Sequence, residues 1–253
     1  MSDCGRAGEM ATPPELRATD VDVAGAHGQR LRGYLATPAG SGAWPGVVVL
    51  HEAYGLTDDV RGITDRFARE GYGALAPDLL SWSMSARCLV TAFRSMLSGS
   101  GRTFDDIRGA RDRLAATDGC NGRIGVVGFC MGGGFALLCA PRGLFDVAAA
   151  NYGVVPRNPE TVLAGACPIV ASYGGRDRAL RGKARQLDEV LTTLGVDHDV
   201  KEYAEASHSF LNHHAGWQAA LDRVTGFGYR EEAAADAWRR ILAFFAGHLG
   251  GPN

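Results

Sequence analysis

The chain has 253 residues, 46% of them hydrophobic, and a formal charge of −2. That length suffices for a full α/β core, while the charge argues against a nucleic-acid surface and no polybasic stretch argues for a membrane. Cys4, Cys88, Cys120, Cys130, Cys139 and Cys167 form no C-x-x-C pair and no zinc-like spacing, the pattern of a reduced, cytoplasmic protein rather than a disulfide framework.

No apolar run approaches the roughly 18 residues of a membrane span. Residues 1–14 are polar, lack an apolar signal region and read as a flexible leader. Residues 15–250 read as a single domain, since no repeat or linker composition interrupts them. Residues 19–37 alternate weakly about a turn-like Ala26-His27-Gly28-Gln29, which predicts an antiparallel hairpin at a sheet edge with His27 solvated. After a Gly/Pro/Ser loop, Gly46-Val47-Val48-Val49-Leu50 reads as a strand covered on both faces. It delivers His51-Glu52-Ala53-Tyr54-Gly55 at its C-terminal end. Thr57 or Asp58 can cap a helix carrying Val60, Ile63, Phe67 and Ala68 on one face, with Gly71 and Gly73 ending it. Residues 72–76 form the next strand, and strand, helix, strand calls for a parallel sheet.

Residues 81–101 are the least readable stretch, with Trp82, Met84, Cys88, Phe93 and Met96 scattered among serines and arginines. Such a segment can roof a pocket beyond the strand ends, or it can be an ordinary surface helix. Residues 104–117 predict a helix with Ile107, Ala110 and Leu114 facing inward. Residues 124–129 are an apolar strand that stops at Cys130, and a helix-compatible run follows three glycines. Further strands are expected over 145–152, 168–173 and 198–203. Residues 156–165 read as a loop. Helices are expected through Leu187, Val190 and Leu194, and over 231–248 with Ala237, Ile241, Phe244 and Phe245 inward.

Gly128-Phe129-Cys130-Met131-Gly132 has the spacing of the G-x-S-x-G nucleophile elbow, with cysteine in place of serine. A side chain held on a sharp strand-to-helix turn needs a strained backbone and neighbours without Cβ. The helix that follows points its N-terminus at the sulfur and favours thiolate. Asp177 follows one later strand and His208 the next. Nucleophile, acid, histidine is the chain order of the α/β-hydrolase triad. In those roles His208 takes the thiol proton while Asp177 orients the imidazole. The oxyanion hole of that fold would be the backbone N–H groups of Met131 and Ala53. Glu52, after an apolar strand, should share the rim with Cys130 and could alter the state of the thiol. His213 and His214 are adjacent and point different ways, no third ligand is spaced to join them, and no metal is assigned. His198 and His248 read as surface residues.

With His51-Glu52-Ala53-Tyr54-Gly55, Gly128-Phe129-Cys130-Met131-Gly132-Gly133, Gly175-Arg176-Asp177 and Ser207-His208-Ser209-Phe210 in hand, the chain resembles the dienelactone hydrolase family over nearly its whole length. The resemblance implies an α/β-hydrolase fold: a mostly parallel sheet with an antiparallel N-terminal edge and helices on both faces. It implies a Cys130-His208-Asp177 triad, an acyl-thiolate route to ester or lactone opening, and no cofactor. Glu52 would hold the resting thiol and help it ionise when substrate binds. Two arginines grip the substrate carboxylate in enzymes of this family that act on dienelactone. Their positions here correspond to Trp82 and Asn212, neither of which can form a bidentate clamp. A less charged small-molecule ester or lactone is therefore expected, contacted by Trp82, Ser209, Phe210, Asn212 and Tyr54. The alternatives are acyl transfer, cyclisation or isomerisation at the same site, or a binding protein with a vestigial site. Monomer and homodimer both remain open. Nucleotide binding is not expected, because no Gly-Lys-Ser/Thr follows the glycines.

Overall fold

The computed structural model describes residues 15–81 and 86–251. The reading of 1–14 as a leader, and Trp82, lie outside the described residues. Strand β1 (Leu16–Ala24) pairs antiparallel with β2 (Arg30–Pro38), and the hairpin turn carries His27 at φ 57°. β2 runs antiparallel to β4 (Gly73–Pro77), which lies parallel to β3 (Trp44–Leu50). β3 continues in parallel with β5 (Cys120–Phe129), β6 (Val147–Asn151), β7 (Ile169–Gly174) and β8 (His198–Tyr203). The order across this eight-stranded sheet is β1-β2-β4-β3-β5-β6-β7-β8. The predicted antiparallel edge and parallel centre are both present.

Helix α1 (Asp58–Arg69) starts where Thr57 Oγ1 accepts the Val60 N–H at 3.4 Å, with Asp58 and Asp59 in its first turn. Helices α2 (Ala86–Ser98) and α3 (Arg102–Ala115) precede β5, and α4 (Met131–Cys139) follows it. Helix α5 (Pro159–Val162) is a single turn opened by proline inside the stretch expected to be loop. Helices α6 (Lys183–Leu194), α7 (Gly216–Thr225) and α8 (Glu231–Leu249) complete the chain.

The helices cover both faces of the sheet. Gly46 and Ile124 pair across β3 and β5, so Gly125, one residue on, points to the opposite face. A Cβ at Gly46 would meet Leu114 of α3, whereas one at Gly125 would meet Phe245 of α8. Phe67 of α1 stacks with Phe245, which puts α1 with α8. Phe104 of α3 meets Phe135 of α4 on the other side. Val47 to Leu50 are fully buried between these layers, each side chain contributing roughly 1.5–3 kcal/mol of transfer free energy. That two-sided burial is why β3 has no polar residue.

Residues 86–98 form a helix that buries Cys88, Ala92 and Met96 beside α3 and α4, and its last turn lines a cavity with Val154 and Pro156. One expectation changes. Phe244 is only half-buried and rests on His248 at 4.5 Å. Helix α7 was not foreseen. It buries none of its residues, so it lacks the inward face from which a helix is read.

Candidate active site

Register alone brings the site together. Leu50 pairs with Gly128, Phe129 with Asn151, Asn151 with Ser172, and Gly174 with Tyr203. The C-terminal ends of these parallel strands therefore share one rim, and the segments carrying Glu52, Cys130, Asp177 and His208 leave from it. Cys130 sits between β5 and α4 at φ 52° and ψ −111°. That conformation costs a non-glycine residue about 1–3 kcal/mol and persists only where the surroundings enforce it. Here they do: a Cβ at Gly128 would lie 1.9 Å from the Gly132 carbonyl oxygen, and one at Gly132 would lie 2.2 Å from that of Leu50. The Cys130 N–H donates to the Asn151 carbonyl at 3.1 Å. Met131 opens α4, so its N–H has no partner within the helix.

Asp177 and His208 meet because the 203–208 segment lies against the turn after β7. A Cβ on Gly174 would lie 2.5 Å from the Ser207 carbonyl oxygen, and the Arg176 N–H donates to Ala206 at 2.9 Å. Asp177 Oδ1 accepts the Ala179 N–H at 3.0 Å and its Oδ2 lies 2.6 Å from His208 Nδ1. Burial pushes the Asp177 carboxyl up, but the His208 hydrogen bond and charge outweigh it and hold it below the ordinary value. Burial likewise works against the His208 charge. The Asp177 bond and the Cys130 sulfur more than offset it and raise the imidazole to about 10. Tyr152 and Phe227 pack against the His208 ring at 5.1 and 5.3 Å.

Ligand atoms of Glu52, Cys130 and His208 all lie within 4.8 Å of one another. Their outer partners are hydrogen-bonding groups: Asp177 on His208, and Ser209 and His214 on Glu52. An acid and a base, each held by a partner of its own, thus flank the sulfur. His51 is fully buried; its Nε2 accepts the Leu79 N–H at 3.0 Å, which leaves Nδ1–H to donate to the Glu52 carbonyl oxygen. That bond fixes the backbone that leads into Ala53. Burial lowers the proton affinity of His51 and keeps it neutral in this role.

The other sequence candidates divide. Tyr54 is 36% exposed and stands edge-on to Trp217 at 5.3 Å and to His214 at 5.4 Å. Ser209, at φ 59°, gives its hydroxyl to Glu52 Oε1 at 2.5 Å. Phe210 is fully buried between Tyr152 and Tyr203, where it packs the core beneath the His208 loop instead of facing a ligand. Asn212 is buried too. It accepts from the Tyr152 hydroxyl and donates to Asp59 Oδ2 at 2.6 Å, tying this loop to α1.

The partners of His214, which the sequence offered only as one of an adjacent pair, were not foreseen. His214 Nε2 lies 2.5 Å from Glu52 Oε2, and its Nδ1 lies 2.8 Å from Asp222 Oδ2 on α7. His213 turns away to Tyr229, so the two adjacent histidines do diverge. Asp222 is eight residues downstream on the unforeseen helix, and no motif spacing connects it with Glu52.

The dienelactone hydrolase family model matches residues 31–249. A carboxymethylenebutenolidase of Pseudomonas putida is 28% identical over 242 residues, covering 89% of this chain and 95% of that protein. A provisionally assigned carboxymethylenebutenolidase of Saccharolobus solfataricus is 28% identical over 254 residues, covering 86% and 94%. The crystal structure of a provisionally assigned dienelactone hydrolase from Klebsiella pneumoniae superposes with a TM-score of 0.75 at 25% identity, covering 92% of this chain and 99% of that one. The chain belongs to the dienelactone hydrolase family and is an α/β-hydrolase-fold hydrolase of ester or lactone bonds.

Proposed function

We propose that the protein opens a small, uncharged ester or lactone through an acyl-thiolate on Cys130, with His208 and Asp177 completing the triad. The observation that carries this reading is the 2.6 Å Asp177–His208 contact beside a sulfur on a strained elbow. The thiolate attacks the carbonyl carbon. The oxyanion that forms is held by the N–H groups of Met131 and Ala53. His208 then gives its proton to the departing alkoxide as the C–O bond breaks, leaving a thioester. Next His208 takes a proton from water, hydroxide adds to the thioester, and the thiolate leaves. In a lactone the alkoxide stays attached to the acyl chain, so the product is one hydroxy acid.

The preference for an uncharged substrate rests on the surroundings. Asn212 is committed to Tyr152 and Asp59, and the rings of Tyr54, Trp217 and Phe227 stand around His208 and His214. An apolar acyl group fits those rings better than a carboxylate that would meet Glu52. Hydrolysis of p-nitrophenyl acetate and butyrate tests the reading. Wild type should turn over, Cys130→Ala should lose at least about 10³-fold in kcat/KM, and mass spectrometry of quenched wild type should find the acyl adduct on Cys130. Undiminished turnover by Cys130→Ala, or an adduct on another residue, overturns it.

A further inference from the structure

Among the described residues the Glu52 carboxylate has two hydrogen-bonding partners, and neither is the thiol. Its Oε1 accepts from Ser209, and its Oε2 lies against His214. Each nitrogen of the His214 ring thus faces a carboxylate, Glu52 on one side and Asp222 on the other. A neutral imidazole carries one N–H and would turn a lone pair on the second carboxylate; the imidazolium donates to both. The geometry therefore suits a charged His214 between two ionised acids. Its side chain is 4% exposed, and that of Asp222 14%. The groups facing the ring are Glu52 and Tyr54 from the segment after β3, Ser209 (through Glu52) from its own loop, and Asp222 from α7.

Two Asp–His pairs then converge on one sulfur. Asp177–His208 reaches it through a base, and Asp222–His214 reaches it through the Glu52 carboxylate. We propose that His214 is a positioning residue: gripped by Asp222, it holds Glu52 ionised and turned from Cys130, which leaves His208 as the acceptor of the thiol proton. This deepens the proposed function and rests on Cys130 as the nucleophile. Without the His214 cation, the Glu52 carboxylate stands as an uncompensated negative charge beside the sulfur, and a like charge there raises the pH at which the thiolate forms. Burial opposes the charge on His214, yet Glu52 and then Asp222 raise it to about 9, so the clamp holds at neutral pH and opens in alkali.

The test is the rate of iodoacetamide alkylation of Cys130 against pH, read by mass spectrometry of its peptide in the full chain, beside the pH profile of p-nitrophenyl acetate hydrolysis. Wild type should show a second change near pH 9. His214→Gln should move the main alkylation midpoint up by about one pH unit, a roughly tenfold loss of thiolate below it. His214→Arg, a permanent cation, should keep the wild-type midpoint and erase the alkaline change, and Asp222→Asn should move that change to lower pH. In a Glu52→Gln background, His214→Gln should add nothing. An unmoved midpoint in His214→Gln overturns the proposal, as does a shift that persists without Glu52. If His214→Gln fails to fold, the His214→Arg and Asp222→Asn profiles decide by the same criteria, unchanged alkaline behaviour in both being the overturning result. Alkylation reports the sulfur whether or not esters turn over, so absent wild-type hydrolysis would sink the proposed function alone.

Discussion

Around Cys130 the backbone is packed so closely that one methyl group at Gly132 would stand 2.2 Å from the Leu50 carbonyl oxygen, whereas α7, bordering the same site, buries no residue and leaves Val224 86% exposed. The first region is held by strands and by contacts that admit no side chain. The second is held by a few directed polar bonds, Asp222 to His214 among them, and by rings lying edge to edge. The difference separates two tasks. A nucleophile must be fixed to within a fraction of an ångström for catalysis, and a rigid core does that. A site mouth must admit and release substrate, and such segments belong to the weakly stabilised part of a fold.

If the rim is rigid because its polar contacts are exact in geometry, the largest loss should come from the Asp177–His208 pair. Asp177→Asn removes the acceptor that orients the imidazole and supports its charge. We expect kcat/KM for p-nitrophenyl acetate to fall about 10³-fold, equivalent to about 4 kcal/mol of transition-state stabilisation. The sign in pH follows from the direction of the shifts. His208 is held above its ordinary value partly by Asp177; with Asn there the imidazolium gives up its proton at lower pH, the thiolate loses its counter-ion sooner as pH rises, and the alkaline limb of the profile should move to lower pH. A profile that drops in height without moving would show that Asp177 only orients the ring.

The next effect is one of stability. Gly132→Ala forces either the Leu50 carbonyl or α4 to shift, and overpacking of this kind costs roughly 2–4 kcal/mol. A urea titration should place its midpoint well below that of wild type, with activity falling further because the elbow moves. A wild-type midpoint would mean that α4 can slide along β3, and the rigidity argued above would fail.

This division also marks what could be read from the sequence. The β3 run is apolar because it is covered on both faces, and the elbow is rich in glycine because its backbone approaches other chains, so each constraint leaves a local trace in residue type. Asp177 and His208, which lie 2.6 Å apart, were legible as a pair because each follows one of two successive strands. Phe210 and Asn212 were expected to contact substrate; the chain turns left-handed at Ser209, and both side chains are buried. His214 was legible only as one of an adjacent pair, and Asp222 left no trace. A buried histidine beside an exposed one looks like any polar pair, and its partner comes from a helix without an inward stripe. Polar contacts across loops have no periodicity to announce them.

The smallest expected effect lies on α7 and separates the two regions most sharply. Trp217 is 66% exposed and meets Tyr54 edge-on near the site. Trp217→Ala takes nothing from the core, so stability in urea should change by about 0.5 kcal/mol or less. It does remove apolar surface that a longer acyl chain could cover. One or two methylene groups resting on such a ring are worth on the order of 1 kcal/mol, so the butyrate-to-acetate ratio in kcat/KM should fall several-fold, mostly through KM. With the chemistry at Cys130 and His208, as proposed, acetate turnover should change little. A mutant that lost acetate and butyrate activity in equal measure would place α7 among the parts that fix the reacting groups, acting through the Asp222 contact it carries to His214.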